Sequence, residues 1–127
     1  MIRTLDGCTI LIVEDEPLIG FGMADVIRTE GGEVIGPGVT CGQALRAMAG
    51  RRINAAILDI MLKGKMVFGL ADALLGQRVP FVFVTGDVEH LVPERYKHVP
   101  IVLKPFVKHE LISALKKAMR QKKFSGA

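Results

Sequence analysis

An α/β fold, built as a doubly wound five-stranded parallel sheet, is the architecture this sequence predicts, and three observations carry it. Short apolar runs rich in β-branched residues alternate with longer stretches of helical spacing. Runs such as Ala56-Ile57-Leu58 and Phe81-Val82-Phe83-Val84 are apolar on both faces, which suits parallel strands covered by helices. The 127 residues allow a single domain, expected over 1–127 with a core from about 9 to 122, because a domain takes roughly 100 to 200 residues. Five strand and helix units joined by right-handed crossovers fit an open sheet better than a barrel, which needs about eight.

The elements follow in order. Strands are predicted over residues 9–13, 33–36, 55–60, 79–85 and 100–103. Pro17 suits the first turn of a helix running toward Glu30, with Leu18, Phe21, Val26 and Ile27 as candidate core contacts and Gly31-Gly32 as its end. Thr40 or Cys41 opens a second helix, with Ala44, Leu45 and Met48 inward and Gly50 as its stop. A third helix is expected over 66–75, and a short fourth between Val88 and Tyr96, where Pro93 breaks or displaces it. The fifth, over about 107–122, sets Leu111, Leu115 and Met119 on one face, with Lys108, Lys116, Lys117 and Arg120 largely outward. Gly36-Pro37-Gly38 reads as a loop within the domain.

Composition narrows the function classes. Half the residues are hydrophobic and 24% are charged, enough to bury a core and unlike a disordered chain. Seventeen Lys and Arg against thirteen Asp and Glu leave a charge of +4, a weak bias toward acidic partners. Five of the cations lie between residues 116 and 123, where the outer face of an amphipathic helix explains them as solvated side chains. One Tyr and no Trp leave little capacity for base stacking. Cys8 and Cys41 form neither a disulfide framework nor a zinc motif, and His90, His98 and His109 lack metal spacing. The N-terminal apolar run is too short and too acidic downstream for a signal peptide, and no segment approaches the ~20 apolar residues of a membrane span. A cytoplasmic protein is expected.

Ligands of open parallel sheets sit outside the carboxyl ends of the strands. Here those ends deliver Glu14-Asp15, then Asp59, Thr85-Gly86-Asp87, and Lys104 before Pro105. Converging acids raise one another's pKa unless a cation lies among them, and hard oxygen ligands suit Mg²⁺, which commonly bridges a carboxylate to a phosphate oxygen. Lys104 and Thr85 could then stabilise charge in phosphoryl transfer, and an aspartate can itself be the nucleophile. Singly, each feature has an ordinary structural explanation. The acidic triplet complements a helix dipole, Asp59 caps or turns, Thr85-Gly86-Asp87 is turn chemistry, and Lys104-Pro105 precedes a helix. Only their joint placement argues for chemistry.

The ordered set Glu14-Asp15, Asp59, Thr85 and Lys104-Pro105-Phe106 resembles a bacterial response regulator receiver domain of two-component signalling, over about residues 9–122. The resemblance implies the flavodoxin-like (βα)5 receiver fold and a single-domain phosphorelay component. Asp59 then takes a phosphoryl group from the phosphohistidine of a sensor histidine kinase or phosphotransfer protein, with Mg²⁺ required. It assigns Thr85 and Lys104 to the catalytic set, and Glu14, Asp15, Asp59 and the backbone carbonyl of Met61 to the metal, with Asp15 favoured over Glu14 as a direct ligand. It further implies a signalling domain that gains and loses its own phosphoryl group, with no separate output enzyme or DNA-binding domain. A downstream protein partner is expected, a homodimer is left open, and Tyr96, Val99 and Lys108 are candidate members of the partner face.

Several positions depart from the family pattern. Ile101 stands where many receivers carry a switching aromatic residue, so the usual aromatic route is not expected; simple core packing explains this isoleucine, and the loops after the third and fourth strands are left to carry any change. The family's proline after the acceptor is absent from Asp59-Ile60-Met61-Leu62-Lys63-Gly64-Lys65, which suggests a more mobile loop with solvated lysines. Asp87 either orients a hydrolytic water or caps the next helix. The alternative from another class is a small Mg²⁺-dependent phosphohydrolase or phosphotransferase using Asp59, disfavoured because no Asp lies two residues beyond it and no cap insertion is present. A nucleotide or flavin binder is disfavoured because acids, not glycines, follow the first strand.

Overall fold

The computed structural model describes residues 3–38, 40–86 and 92–125, with side chains as far as residue 121. Strand β1 (Thr9–Val13) leads to α1 (Pro17–Thr29), β2 (Glu33–Ile35), α2 (Cys41–Gly50) and β3 (Ala55–Asp59). A short hairpin, β4 (Met61–Leu62) and β5 (Lys65–Met66), precedes α3 (Phe68–Gly76) and β6 (Phe81–Thr85). A 3₁₀ turn (Glu94–Tyr96), β7 (Ile101–Leu103) and α4 (Lys108–Ser125) complete the described elements. Five strands form one sheet in the order β2-β1-β3-β6-β7, every pairing parallel. This is the predicted doubly wound architecture.

Alternation along the strands divides the core in two, since successive side chains point to opposite faces of a sheet. Ile10, Ile12, Ala55, Ile57, Val82, Val84 and Val102 pack with Met23 and Ile27 of α1 and Leu111 and Leu115 of α4. Leu11, Val13, Ala56, Leu58, Phe81 and Phe83 pack instead with Ala44 and Met48 of α2, Leu70 and Leu74 of α3, and Tyr96. All five residues of β3 and of β6 are buried, as their two-faced apolarity predicts. Lining each face with helices leaves the strand ends as the place where polar groups can gather.

The helices begin where local chemistry starts them, and two inward faces differ from expectation. Pro17 opens α1, but Leu18 is 87% exposed and Phe21 60%. The inward stripe is Gly20, Met23, Ala24 and Ile27, and at 100° per residue Leu18 lies nearly opposite it. Gly20 is inward because a Cβ there would stand 2.7 Å from Pro37 Cβ, so the following loop can approach only a bare backbone. In α2, Leu45 likewise turns outward while Ala44 and Met48 are buried. Thr40 is the cap, with its Oγ1 accepting from the Gln43 amide (3.1 Å) and the Gln43 side chain accepting from the Thr40 amide (2.8 Å).

In α4, Leu111 and Leu115 are buried and Met119 packs beside them, whereas Lys108, Lys116, Lys117 and Arg120 face water. Among the described residues no helix is long and apolar enough to cross a membrane. The predicted fourth helix lies partly outside the described residues, and its described end is the 3₁₀ turn after Pro93.

Candidate functional site

Parallel strands bring their carboxyl ends to one edge, and the register keeps those ends level. Val13 pairs with Leu58, Asp59 with Val84, and Thr85 with Leu103. Glu14 and Asp15 therefore follow β1 at the height where β3 ends in Asp59, β6 ends in Thr85, and β7 hands on to Lys104. Glu14, Asp15 and Asp59 each offer a carboxylate oxygen within 4.8 Å of the others. Among the described residues, Glu14, Asp59 and Thr85 are the buried polar or charged side chains. Sequence reasoning thus named the residues that the fold gathers.

Lys104 is the cation of the cluster. Its Nζ stands 2.8 Å from Glu14 Oε1, donates to Asp59 Oδ2 at 3.1 Å, and lies 3.7 Å from Glu16 Oε1. The buried Glu14 Oε1 is held by its ion pair with Lys104, and among the described residues nothing else donates to it. Burial pushes the Glu14 carboxyl above the usual carboxylate range, and neighbouring Asp59 adds to the rise, against the opposing pull of Lys104. For Lys104, burial acts to lower the pKa, but the ion pairs with Glu14 and Asp59 prevail and raise it. Three carboxylates against one ammonium leave the cluster short of positive charge.

The stretch after Asp59 is the feature that sequence reasoning missed. It forms a β-hairpin instead of the mobile loop expected from the absent proline. Leu62 pairs with Lys65, leaving Lys63 and Gly64 as a two-residue turn with φ of 47° and 79°. Both signs are what a type I′ turn demands, so the glycine after Lys63 was the available signal. The hairpin bears on the site through its backbone. The Lys63 amide donates to Asp15 Oδ2 (2.9 Å), and the Met61 amide donates to Asp59 Oδ1 (3.2 Å). The lysine side chains 63 and 65 are exposed, as expected.

Two further expectations are corrected. Ile101 does not pack in the core; it is 47% exposed on the edge strand β7, where Val102 takes the inward position. Tyr96 is no surface residue, being 1% exposed among Phe68, Phe81 and Phe83. Its hydroxyl donates to the Asp72 carboxylate, and the Phe68 carbonyl lies 2.9 Å away. Asp87 and His90 lie outside the described residues; His98 and His109 are exposed.

The donor set fits a divalent cation. Hard carboxylate oxygens converge, negative charge exceeds positive by two within the three acids and Lys104, and the buried Glu14 Oε1 has only the shared Lys104 ammonium as a partner among the described residues.

No family model matches the chain. The solution structure of SdrG from Sphingomonas melonis Fr1 is similar at 34% identity and a TM-score of 0.72, covering 88% of this chain and 96% of SdrG. The signal receiver domain of a modulated diguanylate cyclase from Desulfovibrio desulfuricans G20 is 28% identical with a TM-score of 0.79, covering 92% of this chain and 97% of that one. The transcriptional regulatory protein PdtaR of Mycobacterium tuberculosis is 26% identical over 114 residues, 87% of this chain and 56% of PdtaR. The chain therefore spans about half the length of the curated relatives it matches. With its strand order, its acidic edge and these relatives in agreement, the chain belongs to the response regulator receiver domains of two-component signalling.

Proposed function

We propose that this receiver domain takes a phosphoryl group onto Asp59 from the phosphohistidine of a sensor histidine kinase or phosphotransfer protein. The observation that carries the proposal is Asp59 itself. It is a buried carboxylate with one oxygen fixed by the Met61 amide and the other by the Lys104 ammonium. In the transfer, a carboxylate oxygen of Asp59 forms a bond to phosphorus as the bond from phosphorus to imidazole nitrogen breaks, and the imidazole leaves with that electron pair. Lys104 supplies positive charge where the phosphoryl oxygens gather negative charge, and the Thr85 hydroxyl on the adjacent strand end supplies a hydrogen bond.

Glu14, Asp15 and Asp59, with the Met61 carbonyl, would hold Mg²⁺, whose chemistry is to neutralise charge shared between carboxylate and phosphoryl oxygens. The product is an altered signalling surface, since phosphorylation stabilises one of two pre-existing conformations and so changes partner binding. Incubation with acetyl phosphate and Mg²⁺, followed by intact mass under mild conditions, tests this. A single phosphoryl adduct is expected on the wild type and none on Asp59→Ala. An adduct that survives in the variant refutes Asp59 as acceptor, and sustained phosphate release from small monoesters refutes the signalling role in favour of a phosphohydrolase.

A further inference from the structure

At the opposite edge of the sheet from Asp59, where β6 begins, the structure holds a cavity of about 310 Å³. It lies between the end of α3, the 3₁₀ turn and the last turns of α4 up to Gln121. Val79, Phe81 and Ala118 give it an apolar lining, while Arg78, Arg95 and His98 also line it and, among the described residues, no carboxylate does. Such a volume stands at the lower end of small-molecule sites, roughly 300 to 1,000 Å³, which combine apolar walls with a few placed polar groups.

The three nitrogen-bearing side chains differ in what occupies them. Arg95 is engaged, with Nε and Nη2 at 2.8 and 3.2 Å from the two Asp72 oxygens and its guanidinium 4.6 Å from the Tyr96 ring centre. Arg78 and His98 have no side-chain partner among the described residues. Arg78 also sits at φ 58°, a left-handed backbone that Gly or Asn adopts at less cost. A cation after the end of α3 complements that helix dipole, which accounts for its sign. The dipole does not account for two donors without a side-chain partner beside an apolar cavity that, among the described residues, no acid lines.

We propose that this cavity binds a small amphipathic carboxylate, its hydrocarbon body against Val79, Phe81 and Ala118 and its carboxylate on Arg78 and His98. A guanidinium fork matches a carboxylate through two parallel hydrogen bonds, and it is weakly hydrated enough to give up water for the exchange. Phe81 and Thr85 are the two ends of β6, about 13 Å apart at ~3.3 Å per residue. The bound acid therefore leaves the Asp59 edge open, and the inference stands independently of phosphoryl transfer.

Titration of the ¹⁵N-labelled chain with 3-phenylpropanoate tests it by NMR. Saturable shifts of the Val79, Phe81 and Ala118 amides are expected. The neutral amide, 3-phenylpropanamide, and acetate, which lacks the body, should each bind at least about tenfold more weakly, the loss for one charge-assisted contact or its apolar support. Arg78→Asn, which removes the cation yet suits the left-handed backbone, should weaken 3-phenylpropanoate about tenfold without lowering the thermal midpoint. Binding of the amide or of acetate as tight as that of the acid overturns the proposal. So do shifts confined to the Lys116-Lys117 surface, the absence of saturation, or unchanged affinity in Arg78→Asn.

Discussion

Lys104 and Arg95 each neutralise acids brought from a distant element, and the two clusters are built in opposite ways. Arg95 and Asp72 are about half exposed and matched one to one, two nitrogens to two oxygens. Lys104 is mostly buried, at 13% side-chain exposure, and divides one charge among Glu14, Asp59 and the exposed Glu16. In the matched pair Arg95 holds the Asp72 carboxyl below its usual range, whereas in the shared cluster burial lifts Glu14 above it. Matched charges fasten the 3₁₀ turn to α3. Unmatched charge at a strand end raises the energy of the shared cluster, and further positive charge there would lower it.

Breaking the shared cluster should have the largest effect. Lys104→Met leaves Glu14 and Asp59 buried without their cation, and a loss of about 3 kcal/mol is expected in divalent-free buffer, measured by urea denaturation. Glu14→Gln should do the reverse and raise the denaturation midpoint, because it removes the buried charge that Lys104 only half satisfies. Arg95→Met is the control. If it costs as much as Lys104→Met, the contrast between the clusters fails.

The next effect concerns the hairpin that brings the Lys63 amide to Asp15. Gly64 has φ 79°, and a Cβ there would meet no atom within 4 Å, so Gly64→Ala should cost only the left-handed backbone penalty, about 1 kcal/mol. The thermal midpoint measures that loss. Hydrogen exchange at the Lys63 amide sharpens it, since faster exchange in the variant is expected only if the turn holds that amide on Asp15.

These two regions were not equally legible. The site could be read because its residues follow strand runs whose apolarity is unambiguous, and parallel topology then places their ends together without any contact having to be known. Asp59, Thr85 and Lys104 needed only that rule. The hairpin was hidden because two-residue strands leave no periodicity, and only Gly64 marked its turn. Leu18, Phe21 and Leu45 misled for another reason. Hydrophobicity ranks them as core, but α1 meets its neighbours through Gly20 and Ala24, where small size matters and apolarity is nearly silent. Tyr96 reads as surface because no sequence signal ties it to Asp72, which is 24 residues away.

That tyrosine supplies the finest test of the matched cluster. It is the chain's one tyrosine and there is no tryptophan, so phenolate absorbance reports it alone. Burial, followed by the hydrogen bond to Asp72, pushes its pKa up to about 12, against ~10 in an unfolded chain. The native state therefore keeps the phenolic proton more tightly than the unfolded state does. Its stabilising contribution is full below pH ~10 and is lost as pH rises toward 12. Tyr96→Phe should cost about 1 kcal/mol at neutral pH, for the hydroxyl's bond to Asp72, and should flatten the fall in stability across the alkaline window. A native phenol that titrates near the ordinary tyrosine value would mean that Asp72 serves Arg95 alone, and the 3₁₀ turn would then be held to α3 by an exposed ion pair and ring packing without the buried hydroxyl.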